Sequence, residues 1–186
     1  MFGIFISWAQ AQGEGGKMKK VVMIIAKENF RDEELLKPKE ILEKNGVAVK
    51  IASSTLDEAT GMLGAKVKPD MLVSDIKADD FDSVIFIGGQ GASQYWDDPV
   101  AHTLAKETLA KGKFIAAICI APVTLAKAGI LNGKRATVWS TDAGQIKVKG
   151  AVYTGKNVER DGFIITGAGP FAAKEFGEEL AKALKE

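Results

Sequence analysis

The sequence predicts an α/β domain, one mostly parallel sheet with helices on both faces. Three observations lead there. Strand-like and helix-like patterns alternate from residue 21 to the C-terminus. The strand-like runs are short and mostly apolar, the mark of strands covered on both sides. Gly and Pro punctuate the joins between them. Alternation of this kind argues for a parallel sheet between helix layers. In such sheets the ligand crevice lies beyond the carboxyl ends of the strands.

Residues 21–26 are unbroken apolar and form the first strand. A helix follows over 32–45, with Asp32, Glu33 and Glu34 in a first turn that favours acids and Gly46 beyond its end. Pro38 lies inside this pattern and is expected to bend it. Residues 47–52 and 83–87 are further strands, the latter running into Gly88, Gly89 and Gly91. Asp98 caps and Pro99 opens a helix to about residue 111, where Gly112 stops it. Residues 113–118 form the next buried strand, and Pro122 opens a helix over 122–128. Another strand is expected over 136–140. Residues 159–162 read as a hairpin turn between strands at 151–158 and 163–166. Pro170 starts the last helix, whose Lys/Glu pattern is a solvated face. The less regular segment 60–76 is expected to add a small hairpin beside the main sheet.

The 186 residues suit one domain, and 46% hydrophobic residues supply a sizeable core. With Lys+Arg at 25 and Asp+Glu at 24, net charge offers no ground for a nucleic-acid or anionic-membrane partner. The single cysteine excludes an intramolecular disulfide and suits a reducing, cytoplasmic setting. One Cys and one His argue against zinc, so no metal or organic cofactor is expected. Residues 1–17 read as an extension to a domain over 18–186: an apolar stretch, then a glycine-rich join. No basic residue precedes the apolar part, which is too short for a signal peptide or a membrane span. It reads as an upstream start, an artificial tail, or a segment that buries itself on a neighbouring subunit.

Cys119 lies where an apolar strand stops and a helix starts. Unpaired N–H groups and a helix N-terminus there favour thiolate, the nucleophilic form, and strand–turn–helix elbows present nucleophiles. The alternative is a buried cysteine acting as a small hydrophobe. The residues alone leave both open.

Several short patterns then fall in one order: Phe30, Arg31, Asp32, Glu33, Glu34 and Leu35 after the first strand; Gly88 and Gly89; Ala117, Ile118, Cys119 and Pro122; Asp161 with Gly162; and Thr166, Gly167, Gly169 and Pro170. In this order and spacing the chain resembles the ThiJ/PfpI family over residues 19–185. That family includes the Parkinson-associated protein deglycase and archaeal intracellular protease-like enzymes, within a class I glutamine amidotransferase-like superfamily. The resemblance implies a flavodoxin-like fold and a homodimer or larger homo-oligomer. It also implies Cys119 as the reactive cysteine, Glu34 hydrogen-bonding its sulfur, and backbone donors for an oxyanion at Gly88, Gly89 and Ile120. An ionised Glu34 would repel a thiolate, so the pair works only with Glu34 protonated or sharing a proton with Cys119.

Three positions depart from the family pattern. Ile120 stands where the protease-like branch has a histidine, and Ser93 where it has a glutamate. Trp139 stands where the deglycase and glyoxalase branch has a histidine. His102 falls at a helix edge and reads as a surface residue. Trp139, Ser93 and Phe30 are expected to line the pocket, with Tyr95 and Trp96 either at its rim or in the core. Three functions compete. The first is a cysteine-dependent glyoxalase or deglycase acting on small-molecule carbonyls. The second is a peptidase or amidohydrolase, for which the missing histidine removes the usual proton donor. The third is a redox-sensing, stress-protective protein whose thiolate oxidises. A flavin carrier is excluded, because the acidic loop at 27–34 lacks a phosphate cradle.

Overall fold

The computed structural model describes residues 18–186; the 1–17 extension and its alternatives lie outside the described residues. In chain order, the elements are β1 (Lys20–Ile24), β2 (Glu28–Phe30), α1 (Asp32–Lys44), β3 (Ala48–Ser53), β4 (Ala59–Gly61), β5 (Lys66–Val67) and β6 (Met71–Leu72). Then come β7 (Ser83–Phe86), α2 (Pro99–Ala110), β8 (Phe114–Ile118), α3 (Pro122–Lys127), β9 (Arg135–Ala136) and α4 (Ala143–Val148). The chain closes with β10 (Val152–Tyr153), β11 (Val158–Asp161), β12 (Ile164–Gly167) and α5 (Ala173–Ala183).

Strand β1 shows why the sheet has two covered faces. Val22 and Ile24 enter one core while Val21 and Met23 enter the other, all without solvent exposure. That is the two-residue period of a strand acting on an unbroken apolar run. On one face Leu35 and Leu42 of α1 and Phe176 and Leu180 of α5 pack over Ile85 and Ile118. On the other, Leu104 of α2 and Val123 and Leu125 of α3 pack over Val84 and Ile115. Each such side chain, fully buried, contributes about 1.5–3 kcal/mol. Helix α1 is continuous through the buried Pro38. Asp98 caps α2, its Oδ1 accepting from the N–H of Val100 at 2.7 Å and of Ala101 at 3.1 Å.

The main sheet has the order β11-β12-β8-β7-β1-β3-β6. Its pairs are parallel except β11 with β12. This is the flavodoxin-like sandwich that the sequence implied. From β1 the chain moves outward to β3 and β6, then returns to β7 on the other side of β1. The topological switch point therefore lies between β1 and β7, and the crevice opens beyond their carboxyl ends.

Two expected elements differ. The strand over 136–140 shrinks to β9, which pairs with β10 in a separate two-stranded sheet. Beyond it, the Thr137 N–H donates to Thr166 Oγ1 at 2.9 Å and the Trp139 N–H to the Cys119 carbonyl at 2.8 Å. Those bonds replace a strand ladder. The hairpin turn falls at Gly162 and Phe163, and its first arm is β11 rather than 151–158, because β10 takes residues 152 and 153 elsewhere. The irregular segment does contain a hairpin, β4 with β5, and β2 joins it in parallel.

Asp32 fixes that hairpin to the start of α1. Its carboxylate is 5% exposed and accepts from the N–H of Leu63 at 2.8 Å and of Ala65 at 2.8 Å. Among the described residues, no helix is long and apolar enough to cross a membrane. Asp32→Ala leaves two donors without their acceptor, a loss of about 2 kcal/mol. A lowered urea midpoint with unchanged slope is expected, and an unmoved midpoint would show that the hairpin is held by other contacts.

Candidate active site

The elbow after β8 is built by backbone bonds. Cys119 has φ +64°, a left-handed conformation that costs a residue with a side chain of order 1–3 kcal/mol. Its N–H donates to the Gly167 carbonyl at 2.9 Å, and its carbonyl accepts from the Trp139 N–H at 2.8 Å. The elbow is thus clamped between β12 and the segment after β9.

Glu34 approaches the elbow from α1. It is fully buried, and its Oε2 accepts from the Gly88 N–H at 3.1 Å. Oε1 has no hydrogen-bond partner. Glu34 and Cys119 both crowd the Gly88 position, and they lie close enough for each to shift the protonation of the other. Gly88 makes this approach feasible. A Cβ there would lie 2.4 Å from Cys119 Cβ and 2.5 Å from Glu34 Oε2. The Gly88 N–H is occupied by Glu34, so it is not the free oxyanion donor that the resemblance implied. The backbone N–H groups of Gly89 and Ile120 lie near the sulfur and favour its anionic form. Gly89 has φ +92°, and a Cβ there would strike Arg31 N at 2.4 Å.

Burial governs protonation. It pushes the Glu34 carboxyl up to about 8, against the downward pull of the Cys119 and Gly88 hydrogen bonds. Burial, then the Glu34 charge, pushes the Cys119 thiol up to about 12, while the Gly89 and Ile120 N–H groups favour thiolate. The resting form at neutral pH is therefore the thiol. The thiolate expected from the turn and helix terminus is outweighed by desolvation, and α3 spans only six residues. The two groups act as a coupled pair, and loss of the first proton leaves one negative charge shared between carboxyl and sulfur. The folded state holds a proton on Glu34 that an unfolded glutamate releases near 4.5. Its stabilisation is complete below that pH and is lost as pH rises through about 8.

The sulfur reaches a cleft of about 240 Å³, bordered also by Gly89, Ile120 and Trp139. Arg31, Met62, Gln90 and Pro170 complete its lining; the sequence reading did not place these four in the pocket. Cys119 itself is 8% exposed. The Trp139 and Phe171 rings lie 6.2 Å apart, and a Cβ on Gly169 would come within 2.6 Å of the Trp139 ring.

Two expected lining residues are elsewhere. Phe30 is fully buried in the core beneath α1, so its neighbour Arg31 takes the cleft position. β2 ends at Phe30 and Arg31 is the N-cap residue of α1, so the chain turns between the two. Ser93 is exposed and its Oγ donates to the Gln90 carbonyl at 3.0 Å, satisfying its own turn. Tyr95 is a core residue whose hydroxyl donates to the Ile25 carbonyl at 2.9 Å. Trp96 is half-buried, and its indole Nε1 donates to the Ile120 carbonyl at 3.1 Å. His102 is half-buried rather than on the surface, with Nε2 2.8 Å from the Trp96 carbonyl. It does not border the cleft. Among the described residues, no group of three or more His, Cys, Asp or Glu could hold a metal ion.

The model of the DJ-1/PfpI family matches residues 19–183. The chain belongs to the DJ-1/PfpI family. An uncharacterized Methanocaldococcus jannaschii protein is 40% identical over 176 residues, 93% of this chain and 86% of that protein. The glutathione-independent glyoxalase DJR-1.2 of Caenorhabditis elegans is 29% identical over 90% of this chain and 89% of its own length. The deglycase PfpI of Pyrococcus furiosus is 27% identical over 88% and 99%. Among solved structures, the ThiJ/PfpI domain protein from Brachyspira murdochii superposes with a TM-score of 0.89 at 34% identity, covering 91% of this chain and 98% of that one. Its fold agrees with the sheet order described above.

The coupled pair predicts a distinctive alkylation profile. The rate at which iodoacetamide modifies Cys119 is expected to rise with pH and step around 8, where the pair loses its first proton. Glu34→Gln is expected to lose that step. Superimposable profiles would show that the two groups titrate independently.

Proposed function

We propose that Cys119 is the nucleophile of a glyoxalase- or deglycase-type enzyme acting on small reactive carbonyl compounds or their adducts. The observation that carries this reading is the buried Glu34–Cys119 pair at the wall of a small cleft. Ionised Glu34 takes the proton from sulfur as sulfur adds to the carbonyl carbon. The carbon–sulfur bond forms, the carbonyl π pair moves onto oxygen, and Glu34 returns the proton there. The product of this step is a hemithioacetal, with every atom accounted for. Gly89 and Ile120 supply the N–H donors for charge developing on oxygen. Glu34 thus carries the proton with no imidazole in the cleft.

Size and chemistry weigh against the other readings. A cleft of about 240 Å³ lies below the range of roughly 300–1,000 Å³ for drug-sized ligand sites, which favours a small molecule over a polypeptide. Amide cleavage also needs a general acid for the leaving amine, and Ile120 occupies the position where the protease-like branch has a histidine. Oxidation sensing depends on thiolate character, whereas burial holds Cys119 as a thiol. Relatives named as a glyoxalase and as deglycases support the carbonyl reading. A reducing cytoplasm suits a lone reactive thiol.

Methylglyoxal clearance tests the reading. Cys119→Ala is expected to fall to background, and Glu34→Gln by about 10²–10⁴-fold. The wild-type rate is expected to rise as pH passes about 8, because the proton-accepting form of Glu34 appears only there. Clearance by Cys119→Ala equal to that of the wild type would overturn the proposal.

A further inference from the structure

The charge pattern of the cleft narrows the substrate class. Among its described lining residues, Arg31 alone carries a charged side chain. Burial favours the protonated form of the nearby Glu34 carboxyl at neutral pH. The Arg31 side chain is 27% exposed. It is held by Glu33, whose Oε2 accepts from Nε at 2.8 Å and whose Oε1 accepts from Nη2 at 3.1 Å. This grip uses one edge of the guanidinium and leaves Nη1 with its two N–H groups uncommitted, since the fork carries five donors in all. The Arg31 backbone is fixed too, its N–H donating to the Gly88 carbonyl at 3.0 Å. A guanidinium so restrained is preorganised for a planar anion and loses little freedom on binding one. Glu33 tempers its charge at long range, so recognition would act through short, directed hydrogen bonds rather than steering. Trp139 and Met62 supply apolar lining, and the Gln90 side chain is a second polar group at the cleft.

We propose that Arg31 is a specificity-determining residue that binds a carboxylate on the substrate, so that the cleft prefers small carbonyl compounds bearing a carboxylate, such as 2-oxo acids, over neutral aldehydes. Size agrees. At roughly 30 Å³ per water the cleft holds about eight waters, room for a ligand of a few carbons whose carbonyl meets Cys119 while its carboxylate meets Arg31. The inference rests on the reading that Cys119 adds to a carbonyl, and it assigns the other end of the same ligand.

Iodoacetate and iodoacetamide differ in charge but deliver nearly the same group to sulfur. The ratio of their rates at Cys119 isolates anion recognition from thiol reactivity. The ratio is expected to fall about tenfold in Arg31→Gln, the loss of roughly 1.4 kcal/mol of recognition, and to recover in part in Arg31→Lys. An unchanged ratio overturns the proposal. Binding supplies an arm independent of sulfur chemistry: pyruvate and its neutral methyl ester titrated calorimetrically into Cys119→Ala protein. Pyruvate is expected to bind about tenfold tighter than the ester, and that preference should vanish when Arg31→Gln is added. Equal affinities overturn the proposal even if the thiol is inert. If methylglyoxal clearance is independent of Cys119 while both preferences hold, carboxylate recognition stands and the carbonyl chemistry fails. If clearance requires Cys119 and neither preference is seen, the assignment of Arg31 alone is lost.

Discussion

The contact between a buried carboxyl on α1 and a buried sulfur at the end of β8 is the constraint around which the site is organised. Neither group is comfortable there as an anion. Burial raises both pKa values, so the pair rests protonated and loses its first proton only on the basic side of neutrality. The surrounding backbone accommodates this. Gly88 lacks the side chain that would separate the two groups, and its N–H holds one carboxyl oxygen. The nearby Gly89 and Ile120 N–H groups favour the anionic form of the sulfur. The left-handed backbone of Cys119 is retained because neighbours on two sides bond to it.

The fold positions these parts through its topology. Glu34 comes from the first helix, the glycines follow β7, and the cysteine follows β8. They converge because β7 lies between β1 and β8, with the carboxyl ends of these parallel strands at one edge. The small β2–β4–β5 sheet then adds Met62 to the cleft, and Asp32, two residues before Glu34, ties its turn to α1. One turn of helix therefore bears both the anchor of the cleft wall and the carboxyl of the reactive pair.

Much of this was legible in the sequence. Unbroken apolar runs such as 21–26 announce doubly covered strands, and Asp98-Pro99 announces a capped helix, because local chemistry settles those features. The junction of Cys119 with Pro122 showed an elbow. What stayed hidden depends on contacts distant in the chain. Arg31 and Phe30 are adjacent, and only the packing of Phe30 into the core leaves Arg31 as the one that borders the cleft. The protonation of Cys119 depends on the depth of its burial, so helix-terminus reasoning gave the wrong direction. Thr137 and Trp139 lie in an apolar stretch that resembles a strand, yet their N–H groups bond to Thr166 and Cys119 rather than to a ladder. The hairpin was visible as a turn-rich segment, but its register was set by the pairing of β10 with β9.

Trp96 and Trp139 give the molecule a built-in optical probe. One indole borders the cleft directly, and the other is hydrogen-bonded to the carbonyl of Ile120, which follows Cys119 and borders the same cleft. The emission of these two indoles is expected to respond to what fills the space above Cys119. Occupancy becomes observable in real time on unlabelled protein, before any chemical turnover takes place.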